Sequence, residues 1–289
     1  MDSRFLQSLI AVIETGSIAA AAREQNLTAA AVSQRIKALE NTLQTTLLLR
    51  SGHSAIPSDA CLRLLPRAKS IVAQVSLLRG DLDPTGLTGE IKVGVISSLL
   101  SSVMPNCVRQ LSTQAPGLLL QIVPGTSKDC YRQLLAQEID IAIVVEPPFT
   151  VPKAIEQQHL LSQPLCFISA QQCSDIPAAL SSQAFIQYDQ QAWGGAIAKR
   201  YLVDHQLQVQ TLCEIDALET ISLMVASNMG VSLIPHWQGM SQIAANLQVL
   251  PIKDKRYQRN ISMLSHKLSE KKLLVSALQD TLMQLSQMR

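Results

Sequence analysis

Up to about residue 82, hydrophobic residues recur three and four positions apart; beyond that, strand-like and helix-like stretches alternate. Phe5, Leu9 and Val12 predict a first helix over residues 3–14, with Gly16 ending it and Ser17 placed to cap the next. Thr28 stands where a third helix needs an N-cap, before Ala29, Ala30 and Ala31, and its hydroxyl can accept an orphan backbone N–H. Leu27 and Val32 have the spacing of a hydrophobic staple. At about 100° per residue, Val32, Ile36 and Leu39 share one face, and Ala30, Ser33, Gln34 and Lys37 the other. The first face packs. The second is small at its start and polar or basic beyond, which suits a DNA major groove: alanines permit close approach, and Ser or Gln reach base edges. An ordinary surface helix can share this pattern, so the weight rests on its surroundings.

Leu47-Leu48-Leu49-Arg50 and Ala55-Ile56 flank Ser51-Gly52-His53-Ser54, which predicts a small hairpin, a wing beside the helix-turn-helix. Arg50 and His53 would then lie near the DNA backbone; for His53 an incidental surface charge is the other reading. From Ser58 a long helix is expected. Leu64, Ala68, Ile71, Val75, Leu78 and Leu82 alternate four and three apart as a heptad seam, and Pro66 is tolerated near its start. A small winged domain cannot bury such a seam, so the same helix of a second subunit is the expected partner, giving a homodimer. Asp83-Pro84-Thr85-Gly86 breaks the helix.

Strands are predicted at 90–96, 118–123, 139–145, 165–169, 184–188, 231–234, 247–252 and 261–265. Helices are expected through Leu111 and at 128–137, 194–205, 217–228 and 270–287. The expected class is α/β: an N-terminal winged helix-turn-helix over 1–57, a linker dimerisation helix over 58–83, a hinge over 84–89, and a two-lobed α/β domain over 90–289. Lobe I would hold about 90–164 and 265–289, and lobe II about 165–264.

Charge sharpens this division. The net charge is only +2, yet residues 1–79 carry nine basic against five acidic residues, +4, and the rest fifteen against seventeen, −2. The basic excess lies with the helix that would meet phosphates. Aromatic residues make up 3% of the chain, too few for a base-stacking reader of single strands or RNA. Cys61, Cys107, Cys130, Cys166, Cys173 and Cys213 form no CxxC pair or metal spacing and are expected to be inert thiols, with a redox role for Cys166 and Cys173 the weaker reading. No secretory leader or bilayer-spanning run is evident, so a cytoplasmic location without membrane contact is expected. Neither a P-loop, a nucleophile elbow, an HExxH nor a dinucleotide fingerprint occurs, so neither an enzyme, a metal site nor a cofactor is expected.

Over its whole length the chain resembles the LysR-type transcriptional regulators. The resemblance rests on Gly16-Ser17, Ala21-Ala22, the run from Ala31 to Glu40, Leu49-Arg50, Asp140 to Ile143, and Val225 to Pro235. It implies a sensor like that of periplasmic binding proteins, DNA binding as a dimer or tetramer, RNA polymerase as a partner, and a small-molecule effector between the lobes. Ala29 departs from the Gln or Ser usual after the cap, and Ser58-Asp59-Ala60-Cys61 departs from the usual Thr-x-Ala-Gly; both bear on the DNA site sequence rather than the fold. The run from Ser33 to Lys37, with Ile234-Pro235-His236, looks most like the branch regulating arginine and lysine export.

The expected contacts with double-stranded promoter DNA are Ser33, Gln34 and Lys37 in the groove, with Ala29 and Ala30 permitting approach, and Thr28, Arg35, Arg50 and His53 at the backbone. In the sensor, Ser97, Ser98 and Leu99 lie at a strand end and helix start, where backbone N–H groups favour a carboxylate; the other reading is that either serine only caps the helix. Thr126, Ser127 and Glu146 from lobe I, with Tyr188, Trp193 and Gly230 from lobe II, complete the expected effector lining; Asp189, Asp216 and Glu219 have simple solvation as their other reading. The effector would be an amino acid or organic acid. Two alternatives stand beside the regulator: a solute-binding protein without a gene-regulatory role, and a nonspecific architectural DNA-binding protein.

Overall fold

The computed structural model of the chain describes residues 2–51, 54–81, 83 and 85–287, and gives the backbone only for Arg50, Ser51, Ser54, Ser76, Leu77, Arg79, Gly80, Asp81 and Gln287. His53 and Leu82, expected at the DNA and the dimer seam, lie outside the described residues, as does the Arg50 side chain. The chain divides into two compact units, residues 1–86 and 87–289.

In the first unit, α1 (Ser3–Thr15), α2 (Ile18–Glu24) and α3 (Ala29–Leu43) pack around Leu9, Val12, Ala21, Val32, Ile36 and Leu39. Gly16 ends α1 at φ 72°, in the left-handed region that glycine enters without a Cβ clash. Ser17 and Thr28 cap as expected, each hydroxyl accepting from the backbone N–H three residues on, Ala20 and Ala31, at 3.1 Å. Strands β1 (Leu48–Ser51) and β2 (Ser54–Pro57) pair antiparallel as the wing. Glu40, near the end of α3, fastens that wing: one carboxylate oxygen accepts from the N–H groups of Leu47, at 2.8 Å, and Leu48, at 3.2 Å.

Helix α4 (Asp59–Asp81) is the expected rod, with Pro66 inside it. Its seam behaves differently from expectation. Leu64 and Ile71 pack against the unit's own core, and Ala68 is fully buried there, because α4 lies along α1. Among the described seam positions, Val75 at 40% and Leu78 at 60% exposure remain open.

The second unit holds β3 (Gly89–Val95), α5 (Ser97–Leu100), α6 (Met104–Gln114), β4 (Leu118–Pro124), α7 (Ser127–Leu135), β5 (Ile141–Val145) and β6 (Ile155–Ser169). Then follow α8 (Ile176–Ser182), β7 (Ala184–Tyr188), α9 (Gly195–Asp204), β8 (Gln210–Ile215), α10 (Leu218–Ala226) and β9 (Ser232–Pro235). The chain closes with α11 (Met240–Ile243), β10 (Gln248–Pro251), β11 (Gln258–His266) and α12 (Lys272–Gln287). Strand β3 runs parallel to β4 and β5, and β11 pairs antiparallel with both β5 and β6. Beyond Pro164, β6 leaves β11 and pairs antiparallel with β9 and β10, while β7 and β8 run parallel and Phe185 of β7 bridges to Val231.

The lobes are therefore joined through β6 and β11, which belong to both. The chain returns to lobe I's sheet at Ile261, paired with Val145, four residues before the expected boundary at 265. The first half of β6 was not foreseen, because Glu156-Gln157-Gln158-His159 has no apolar face; pairing with β11 makes it a strand. Lobe II is mixed, with β7 and β8 parallel and with β9 and β10 antiparallel to β6. The helix expected through Leu111 breaks between Leu100 and Met104, and Pro105, which has no N–H to donate, sits in the first turn of α6. Among the described residues, no single helix is long and apolar enough to cross a membrane.

Burial pushes the Cys107 and Cys166 thiols up to about 12 and Cys130 up to about 11, the latter with help from the neighbouring Asp129 carboxylate. At pH 8 about one such thiol in a thousand or fewer is ionised. Native protein treated with iodoacetamide should accordingly resist modification at these three sites and react at all three once unfolded, as peptide mass spectrometry would read. Glu40→Ala should destabilise the first unit by about 1.5–3 kcal/mol, since it strips a charged acceptor from two amides, one on the fully buried Leu47. Urea unfolding of the full chain measures it, and an unchanged midpoint would show the Glu40 tie to be idle.

Candidate functional site

Two faces carry the expected chemistry. On α3, Thr28, Ala29, Ala30, Gln34 and Lys37 are exposed and Ser33 is half-buried, while Val32, Ile36 and Leu39 point inward. The exposed stripe is small at the N-terminal end and amide- and ammonium-bearing beyond. Arg35 is directed elsewhere: its guanidinium donates to the buried Ser8 hydroxyl at 3.2 Å, and Ser8 donates to Gln25 at 2.8 Å. Arg35 thus braces α3 against α1, which explains its half-buried position beside Ile36.

The second face is a cavity of about 430 Å³ between the lobes. Lobe I contributes Ser97, Ser98, Thr126, Ser127 and Lys128, and lobe II Tyr188, Asp189, Trp193 and Asp216, with Arg259 of β11 at the crossing. Among the predicted residues, Ser97, Ser98, Thr126, Ser127, Tyr188 and Trp193 meet here. Leu99, Glu146 and Gly230 do not. Leu99 is 2% exposed and belongs to the lobe I core. Glu146 accepts from Gln157 at 3.0 Å and Asn260 at 2.9 Å, bracing the β6–β11 pair. Gly230, at φ 158°, lies against the Ala184 carbonyl, where a Cβ would stand 2.2 Å from the oxygen; close backbone packing explains the glycine.

The serines divide their roles. Ile96 occupies the N-cap of α5 with no side-chain bond, so neither serine caps that turn. Ser98, 1% exposed, accepts from Arg259 Nη2 at 2.9 Å. Ser97 reaches across the cleft to Glu219 at 3.4 Å, and Ser101 to the same carboxylate at 3.2 Å. The Ser127 hydroxyl accepts from the Val145 N–H at 3.1 Å, and Thr126 caps α7. At the cleft edge Trp193 meets Tyr131 of α7 and Phe149 edge-to-face, with ring centroids 5.9 and 5.5 Å apart.

Arg259 is the residue that the sequence concealed. It is 2% exposed and donates through Nε to Gln163 Oε1 at 2.8 Å, through Nη2 to Gln163 and Ser98, and through Nη1 to the Tyr188 hydroxyl at 3.5 Å. In the chain it closes the charged run that begins at Lys253, and nothing in that run separates it from solvated neighbours. The nearest sequence signal was its place two residues before the apolar alternation of β11.

Electrostatically the cleft is divided. Asp216 opens into it, yet loss of water between the walls raises its carboxyl above the ordinary range, and the nearby Asp189 carboxylate adds to the rise; Arg259 and a hydrogen bond from Tyr188 oppose it. Burial likewise raises the Tyr188 phenol. Among the described residues, no group of three or more His, Cys, Asp or Glu could hold a metal ion.

Comparison with known proteins connects both faces. Residues 3–62 match the family described as bacterial regulatory helix-turn-helix protein, lysR family, and residues 84–287 match the LysR substrate binding domain. The chain is 23% identical over 242 residues to the nitrogen assimilation regulatory protein nac of Escherichia coli (strain K12), covering 81% of this chain and 78% of that protein. Its fold is similar to a full-length OxyR variant from Pseudomonas aeruginosa, with a TM-score of 0.70 and 18% identity over 98% of this chain and 94% of that one. It is also similar to full-length CbnR complexed with its target DNA, with a TM-score of 0.64 and 17% identity over 99% and 100% of the two chains.

Asp216→Asn should raise the melting temperature at pH 7.5. The folded protein raises this carboxyl, so folding is penalised by its ionisation at every pH above the folded value. The penalty shrinks as pH falls and vanishes below the unfolded value, 3.8. The gain should therefore disappear near pH 4 in paired melting curves; a gain that stays constant with pH would assign it to packing.

Proposed function

The chain belongs to the LysR family of bacterial transcriptional regulators, and we propose that it binds promoter DNA through α3 as a homodimer or homotetramer, switched by a small molecule held between its sensor lobes. The observation that carries the DNA half is the exposed stripe of α3, from Thr28 to Lys37, backed by the buried Val32, Ile36 and Leu39. Alanines at 29 and 30 let the helix backbone approach the groove floor. Gln34 offers the paired donor and acceptor that match adenine, and Lys37 offers a phosphate or groove cation. With few long side chains on that stripe, much of the affinity comes from phosphates and DNA shape.

The distal part of the α4 seam supports self-association, because Val75 and Leu78 are exposed while Leu64, Ala68 and Ile71 are covered. The interlobe cavity supports an effector: it is concave, small-molecule sized and lined by a few convergent polar groups. The protein acts in the cytoplasm, without catalysis of its own, and its output is contact with RNA polymerase at the promoter.

With sites selected from a random pool by the full-length protein, Gln34→Ala should weaken binding about ten- to a hundred-fold, while binding to random duplex stays within about two-fold. Lys37→Ala should instead weaken both alike and reduce the salt slope by about one. Equal losses on both DNAs for Gln34→Ala, read by fluorescence anisotropy, would remove it as a base reader.

A further inference from the structure

Resting on the effector reading of the cleft, we infer that the molecule held there is a small zwitterion of the α-amino acid class, its carboxylate against Arg259 and its ammonium against Asp216 and Asp189. The carboxylate seat follows from the surroundings of the guanidinium. Arg259 is almost wholly buried, and every group that meets it is neutral: the Gln163 amide oxygen, the Ser98 hydroxyl and the Tyr188 hydroxyl. Among the described residues it has no carboxylate within ion-pair distance. A buried cation needs an anion or a strong compensating network. Three neutral acceptors, one at 3.5 Å, occupy all but one of its N–H directions, and the guanidinium lines the cavity. The charge that would complete it enters from the cavity, and a carboxylate oxygen can accept from the one remaining Nη1–H as a charge-assisted bond.

The ammonium seat lies with lobe II. Asp216 and Asp189 both line the cavity, and neither forms an ion pair among the described residues. One Asp189 oxygen accepts from the Gln191 N–H at 2.7 Å, which fixes the group without neutralising it. Burial raises the Asp216 carboxyl and the Asp189 carboxylate adds to the rise, and a cation beside them offsets both. Tyr188 accepts from Arg259 at 3.5 Å and lines the same cavity as Asp216.

The remaining charged groups of the cavity lining fit this division. Asp129 is engaged with Thr126 and Arg132, and Lys128 is exposed at the rim. A dicarboxylate would satisfy Arg259 but would bring a second negative charge into a lining that already holds Asp189 and Asp216. A plain amine would leave Arg259 uncompensated. At about 430 Å³ the cavity stands near the lower end of small-molecule sites, about 300–1,000 Å³.

The test uses the full-length protein, calorimetry, and Trp193 fluorescence corrected with a Trp193→Phe control. The probes are the twenty common L-amino acids, each with its counterpart lacking the amino group and its counterpart lacking the carboxylate, together with succinate and glutarate. At least one amino acid should bind, and each counterpart of it should bind at least thirty-fold more weakly. Asp216→Asn should weaken the amino acid ten-fold or more and leave its amino-free counterpart within about two-fold, a split that misfolding cannot produce. Arg259→Lys, checked by circular dichroism, should weaken the amino acid and the amino-free counterpart together. If an amino-free acid or a dicarboxylate binds as well as any amino acid, the zwitterion assignment falls while the effector cleft stands. If no probe binds, the zwitterion assignment falls. If, in addition, Asp216→Asn and Trp193→Phe leave DNA binding unchanged in the presence of cell-extract metabolites, the effector reading falls with it.

Discussion

The sensor's geometry depends on one buried guanidinium. Arg259 sits on β11 where that strand passes between lobes, and its hydrogen bonds run to β6, to the turn after β3, and to the end of β7. Those three destinations are Gln163, Ser98 and Tyr188, one on the shared strand and one in each lobe. A guanidinium can do this because it offers five donors in a rigid plane; an ammonium offers three on a flexible stem. The arrangement fixes the cleft floor and leaves its charge uncompensated by protein. A floor with those two properties is preorganised for an anion, since no protein carboxylate has to leave before the ligand arrives.

Much of this molecule is legible in its sequence, and the failures have physical causes. The caps at Ser17 and Thr28, the Gly16 stop and the Val32–Ile36–Leu39 face are local signals, satisfied within one or two turns, and they appear where the sequence places them. The long helix α4 is legible, but the fate of its seam is not. Heptad spacing shows that a stripe must be covered without saying by what, and α1 covers Leu64, Ala68 and Ile71. The first half of β6 is a non-local strand, polar in composition and held by its ladder, so no periodicity announces it. Glu146 and Gly230 are polar or glycine positions near the cleft in sequence order, yet one braces a strand pair and the other permits close backbone packing. Arg259 is the opposite case, a charge at the end of a solvated run that the sheet carries into the interior.

In the first unit, stability and recognition use different residues of one helix. Glu40 holds the wing, Arg35 holds α1, Thr28 caps the helix, and the buried trio holds the core, which leaves Ala29, Ala30, Gln34 and Lys37 without a structural duty on the exposed stripe. Changes on that stripe can alter the DNA sequence preferred without loosening the domain. The two alanines also set a limit on readout, because a methyl group excludes water and meets thymine methyls but forms no hydrogen bond.

In the second unit, the links across the cleft are few and mostly at its edge. Glu219 takes two long hydrogen bonds from Ser97 and Ser101, and Trp193 packs on Tyr131 and Phe149, the last of these 46% exposed. Exposed hydrogen bonds of this kind contribute about 0.5–1.5 kcal/mol each, and an aromatic pair about the same. Together these sum to only a few kcal/mol, the size of gap that a ligand can tip. Moving a two-state equilibrium from 1:99 to 99:1 takes about 5.5 kcal/mol of differential affinity. A ligand touching one lobe alone gains nothing from closure and shifts nothing. One that meets Arg259 and Ser98 on one side and Asp216 on the other gains both contacts only when the lobes are together. Strand β6, paired with β11 up to Pro164 and with β9 and β10 beyond it, runs through both lobes and gives them a common axis, so the cleft contacts and not the connection decide how far they close.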